Sequence, residues 1–164
     1  MVSSVTESVG SKSAQDGVFM NMLTDSRTAV ITEGDLLELD SDGYVKKCTA
    51  ALSVNFIGVA AATVAATTAA SQKRINVQVG GKVRVRAIYD TGGTYTDAIV
   101  PGERVCVAED NASNYDGQVM AHAPTSGGSD PNTNSKCVGI ALTGLGSAAA
   151  TPQNIDILLQ IRCG

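Results

Sequence analysis

Much of residues 34–60, GDLLELDSDGYVKKCTAALSVNFIGVA, recurs in altered form near the far end of the chain, and a fold must give both copies equivalent surroundings. Gly34, Asp35, Leu36 and Leu37 are answered by Gly102, Glu103, Arg104 and Val105. Asp42, Gly43, Tyr44 and Val45 are answered by Asp116, Gly117, Gln118 and Val119, and Ile57, Gly58, Val59 and Ala60 by Val138, Gly139, Ile140 and Ala141. The offset grows from 68 through 74 to 81 residues, so the added residues fall in loops, where insertion costs little closure entropy. The pattern predicts an all-β fold: a single β-barrel or β-sandwich built from two similar halves, with pseudo-repeats at about 28–88 and 96–162 inside one domain, 27–164.

Local chemistry supports strands throughout. Residues 28–39 alternate well enough for two short strands joined at Glu33-Gly34-Asp35, and Asp42-Gly43 is a hairpin turn because Gly takes a positive backbone angle without steric cost. Gly58 inside a strand marks a bulge or a close approach. The Ala/Thr-rich residues 61–71 read as a loop or a short helix covering one end of a barrel. In residues 73–88, KRINVQVGGKVRVRAI, apolar and polar positions alternate on either side of Gly80-Gly81, which predicts a hairpin with a tight reversal there. Arg74, Gln78, Arg84 and Arg86 then face outward, as a solvated face or as ion pairs across a subunit contact. The predicted core is Val30, Leu37, Leu39, Val45, Ile57, Val59, Ile75, Val77, Val79, Val83, Val85, Val105, Val107, Val119, Val138, Ile140, Ile155, Ile157 and Ile161. Residues 123–135, APTSGGSDPNTNS, form an exposed excursion.

Residues 1–26 have no counterpart in the second copy and read as an extended N-terminal arm. Val18, Phe19, Met20, Met22 and Leu23 are too apolar for a solvated tail. They fit packing on their own domain or docking on a neighbouring protein, and we take them as candidate partner or subunit contacts.

Charge and composition exclude several classes of function. A net charge of −4 with no Lys/Arg cluster argues against nucleic acid. The longest apolar run, residues 59–70, falls short of the roughly 20 residues of a membrane helix, so no membrane partner is expected. Cys48, Cys106, Cys137 and Cys163 are widely spaced and the sole histidine is His122, which removes zinc-finger spacing and a redox dithiol. Reduced, mostly buried thiols are expected, with two disulfides as the alternative. No nucleophile elbow accompanies His122, the D-x-D-G at Asp40 and Asp42 stops short of a calcium loop, and the Gly pairs lack the context of a phosphate cradle. We expect no enzyme, no catalytic or metal-binding residue and no cofactor.

The succession G-D-L-L and G-Y-V, then I-G-V-A, V-Q-V-G-G-K-V-R-V, P-G-E-R-V and V-G-I-A-L resembles the small β proteins that decorate or cement tailed-phage capsids. The resemblance covers residues 30–161 and lies in strands and turns. It implies a structural virion protein that is made in the host cytoplasm and binds the outer surface of an icosahedral shell. Its partners would be the major capsid protein and itself, as a homotrimer, and it would stiffen the shell against internal DNA pressure. The long excursion at 123–135 and the arm depart from the commonest form. The alternative is a receptor- or carbohydrate-binding β module of a phage fibre or spike, with Tyr89, Tyr95 or Tyr115 as its platform.

Overall fold

The computed structural model describes residues 17–24, 30–49, 55–66, 73–88, 98–108, 116–121, 137–146 and 153–160. Among these residues the chain is all-β without helix. Its strands are β1 (Gly17–Thr24), β2 (Leu36–Leu39), β3 (Val45–Lys47), β4 (Phe56–Ala60), β5 (Lys73–Ala87), β6 (Arg104–Val107), β7 (Val119–Ala121), β8 (Cys137–Ala141) and β9 (Gln153–Leu159). They form one mixed sheet in the order β1-β3-β2-β4-β5-β7-β6-β8-β9, with β5 pairing in addition to β1 and to β9. β5 thus meets the first strand of that order through residues 73–81 and the last through residues 81–87.

The long strand β5 is the axis of this arrangement and corrects the expected hairpin. Gly80 and Gly81 do not reverse the chain. Gly81, at φ +85°, instead carries one continuous strand through a change of partner, pairing with Gly17 of β1 on one side and with Leu159 of β9 on the other. A hairpin would have paired β5 with itself; the non-local partners provide eight register pairs from β1 and seven from β9. Gln78 was expected outside and is buried, because its Nε2 donates across the bend to the carbonyls of Gly80 (3.1 Å) and Lys82 (2.8 Å). Arg74 and Arg84 are exposed as expected, and Arg86 is half-buried.

The remaining pairings recur along the chain. β2 runs antiparallel to β3 and β4, with Leu37 opposite Lys47, Leu36 opposite Val59 and a bulge between Leu37 and Glu38. β6 does the same with β7 and β8: Val105 lies opposite Ala121, Arg104 opposite Ile140, and a bulge separates Val105 from Cys106. Thr24 pairs parallel with Val45, and Ala87 parallel with Val119. Isolated bridges join Ile31 to Val64 and Ile99 to Leu145.

Among the described residues three apolar clusters are buried, the least of them Ile88, Cys106, Ala108 and Met120. Of the other two, Ile31, Leu37, Val45, Ala60, Ile75 and Val77 form the smaller, with Met22, Leu39, Ile57, Val64 and Val79 packed against it. The larger gathers residues of β5 to β9 together with Leu36, Cys48, Phe56 and Val59. Neighbouring Leu36 and Leu37 thus belong to different clusters, as do Val59 and Ala60. β2 and β4 are covered on both faces, whereas the sequence reading assigned each strand one buried face. Two further expectations, at Val30 and at residues 17–24, are corrected, and residues 61–66 take the loop alternative. Val30 is 44% exposed and Ile31 is buried in its place, because the predicted first strand is only a bridge to Val64. Residues 61–66 contain that bridge and no helix, and residues 67–71 lie outside the described residues, as does Ile161. Gly17–Thr24, assigned to an arm, is a strand of the sheet; residues 1–16 lie outside the described residues.

Gly58 is a point of close approach, as its place in a strand suggested. A Cβ there would collide with the carbonyl oxygen of Gln78, and one on Gly139 would collide with that of Leu158. Cys48, Cys106 and Cys137 are thiols, the first two buried; Cys163 lies outside the described residues.

Candidate interaction surface

Strand β1 positions all five candidate contact residues. Its antiparallel pairing with β5 holds them at fixed stations, with a register shift between Val18 and Phe19. Val18, Phe19 and Met20 are 62%, 47% and 51% exposed. Met22 and Leu23 are half-buried, and Met22 packs against the smaller cluster. The structure therefore divides the candidates: the inner end of β1 seals its own core, while the outer end presents three consecutive apolar side chains to solvent. Consecutive residues point to opposite faces of a strand, so this end is uncovered on both faces.

Phe19 borders an open groove together with Glu33, Ala61, Lys82, Arg84 and Asp156. The basic residues there are not an unpaired anion site. Lys82 Nζ lies 3.0 Å and Arg84 Nε 3.1 Å from the carboxylate of Asp156, which stands directly across from Arg84 on β9. The hydrogen bond from Lys82 comes first among the influences that hold the Asp156 carboxyl below its ordinary pKa, with the Arg84 hydrogen bond acting in the same sense and partial burial opposing both. Arg74 donates to Asn21 Oδ1 at 2.9 Å.

A second charged group was missed by sequence reasoning. Asp35 is fully buried. Its Oδ2 accepts the Thr32 N–H at 2.7 Å and meets Lys47 Nζ at 3.1 Å, and its Oδ1 accepts from Arg86 Nη1 at 3.0 Å. Around it, Leu36 N–H donates to Gly117 O (2.7 Å), Gly117 N–H to Cys48 O (2.9 Å) and Arg86 N–H to Gly34 O (3.3 Å). These bonds fasten the β2–β3 region to β5 and to the turn before β7. The local signal was Gly-Asp at a turn, but nothing in it showed that Arg86 would arrive.

Comparison with known protein families, characterised proteins and solved structures returned no match. The surface is therefore read on its own chemistry. Besides β1, the large apolar side chains exposed among the described residues are Val30, Val100, Leu142 and Leu158. Among the described residues no group of three metal-ligating side chains converges. Tyr89, Tyr95, Tyr115 and His122 lie outside the described residues.

Proposed function

We propose that this chain is a structural virion protein that binds the outside of an icosahedral tailed-phage capsid and stabilises the shell, acting as a homotrimer with the major capsid protein as partner. The observation that carries the reading is the outer end of β1, where Val18, Phe19 and Met20 stand in water on a strand whose inner end is locked into its own sheet. Water-exposed apolar residues on a rigid, hydrogen-bonded strand suit a surface that another protein covers. Attachment through several copies at once then turns weak single contacts into a durable coat. The resemblance of the strand and turn pattern to capsid decoration proteins supports the same reading.

The finer architecture belongs to this proposal. We infer two similar units, each a closed five-stranded barrel, that share β5. β1-β3-β2-β4-β5 is the first ring and β5-β7-β6-β8-β9 the second. What supports it is the repetition of several registers: the bulge at Leu37/Glu38 returns at Val105/Cys106, the Ile31–Val64 bridge as Ile99–Leu145, and the Thr24–Val45 pair as Ala87–Val119. The turns repeat as well, with Gly34 N–H donating to Ala60 O (2.9 Å) and Gly102 N–H to Ala141 O (2.8 Å). Such closure removes free sheet edges and suits a protein that must persist outside the cell.

The test is co-sedimentation of the purified chain with assembled shells of the phage that encodes it, alongside a glycan array. Pelleting with shells and no glycan signal supports the proposal. Glycan binding without pelleting favours the fibre or spike module instead.

A further inference from the structure

The contact between the two units leaves each with one face used and its counterpart open. Internally, the first unit offers the Gly34 turn, Leu36, Val59 and Ala61, and the second receives them with Val83, Arg86 and the Gly117 turn. The register equivalences carry the first set onto Gly102, Arg104, Ile140 and Leu142 of the second unit. They carry the receiving set onto Met20, Leu23 and the Gly43 turn of the first. In the interior contact these positions are largely buried: Leu36 and Val59 are 0% exposed, and Gly34 and Gly117 are buried. Their counterparts Gly102, Arg104 and Gly43 are exposed, and Ile140 and Leu23 are half-buried. A Cβ on Gly34 would lie 3.3 Å from Arg84 O and one on Gly117 3.0 Å from Asp35, while Gly102 and Gly43 have nothing within 4 Å.

We propose that a second copy of this chain fills the vacancy. Copies associate head to tail, the Gly102–Arg104 turn and Leu142 of one seating on β1 and the Gly43 turn of the next, as the first unit seats on the second within the chain. The surface chemistry fits this occupant. The equivalence brings exposed Leu142 to exposed Phe19 and Met20, where the internal groove has Ala61 against Lys82 and Val83. It also brings the Arg104 side chain to the turn that carries Asp40 and Asp42. Three of the exposed large apolar residues thereby cover one another. The contact is heterologous, so it closes a ring or grows a filament; three copies close a ring of six units in the trimer proposed above. The inference rests on the duplicated architecture, and it is independent of any capsid.

The experiment uses the purified full chain without shells. Met20→Glu blocks the receiving face; Arg104→Glu with Leu142→Glu blocks the donating face; all three residues are exposed, and an unchanged melting temperature certifies each fold. Sedimentation velocity on wild-type protein is expected to give an oligomer, and each blocked variant to associate weaker by on the order of tenfold or more. An equal mixture of the two variants keeps one intact contact, and cross-linking is expected to give a two-chain species containing one of each. A monomeric wild type at its highest soluble concentration overturns the proposal. So does a Met20→Glu variant that assembles like wild type, which is the outcome of a twofold contact through the donating face alone, and so does a mixture that stays monomeric. The duplication itself is read separately, from matched losses of stability at Gly58→Ala and Gly139→Ala.

Discussion

At the scale of single residues, the sharpest constraints are two glycines and two aspartates. Gly58 and Gly139 let a neighbouring backbone carbonyl approach where a methyl group would stand. The colliding atoms belong to main chain held in a sheet, which cannot swing aside. Gly58→Ala and Gly139→Ala are each expected to cost roughly 1–3 kcal/mol, read as a lower midpoint in urea. Asp35 and its counterpart Glu103 should behave differently from each other. Asp35 is fully buried between Lys47 and Arg86, so Asp35→Ala strands two partly buried cations and should cost on the order of 3 kcal/mol. Glu103 is exposed and caps its turn by accepting the Val100 N–H at 2.8 Å, so Glu103→Ala should cost no more than about 1 kcal/mol. Equal losses at the two positions would contradict the role given to Arg86 and Lys47. Asp156 adds a pH dependence. Its folded pKa is lowered, chiefly by the hydrogen bond from Lys82. Its stabilising contribution is therefore fully present above the ordinary carboxylate value and is lost as pH falls below about 4. With Lys82 and Arg84 largely exposed, the contribution is within about 1 kcal/mol. Asp156→Asn should leave the acid limb of the stability curve flatter, by that amount, when unfolding is followed from neutral pH downward.

At the scale of elements, what could be read in the sequence was whatever depended on alternation and on turn chemistry. Ile75, Val77, Val83 and Val85 are buried and Arg74 and Arg84 exposed, because period-two patterning fixes which face of a strand meets the core. The Asp42-Gly43 turn forms, with Gly43 at φ +81° and its N–H bonded to Asp40 O. Partner choice could not be read. Gly80-Gly81 has the local chemistry of a reversal, yet β1 and β9 supply longer ladders to a strand that continues. Burial on both faces was equally hidden: Leu36 and Phe56 look like the outward residues of half-exposed strands until the rest of the chain covers them. β1 was half legible. Its excess of apolar residues was evident, but its assignment to an arm overlooked that Met22 packs on the smaller cluster and that Thr24 pairs with Val45 of β3. Truncation separates these elements. Removal of residues 1–16 is expected to leave the melting temperature within a few degrees of wild type, since β1 stays in place. Removal of residues 1–23 strips the ladder from the first half of β5 and should yield protein that melts much lower or aggregates through the exposed edge. An unaltered melting temperature after the longer deletion would show that β1 is dispensable to the fold.

At the scale of the whole molecule, sequence, register and surface bear on one role. A chain of 164 residues with few aromatics builds its described interior chiefly from Val, Ile, Leu and Ala, on one mixed sheet of nine strands. The candidate site was legible only as a composition, five apolar residues near the N-terminus. Which of them seal the core and which stand in solvent depended on the register between β1 and β5. The direct measurement is the temperature at which shells of the encoding phage rupture, followed by release of packaged DNA, with and without saturating amounts of the purified chain. The protein is expected to bind and to raise the rupture temperature, with the gain lost in the Phe19→Ser, Met20→Ser variant that remains folded. Shells that rupture at the same temperature with and without the protein would contradict the structural role.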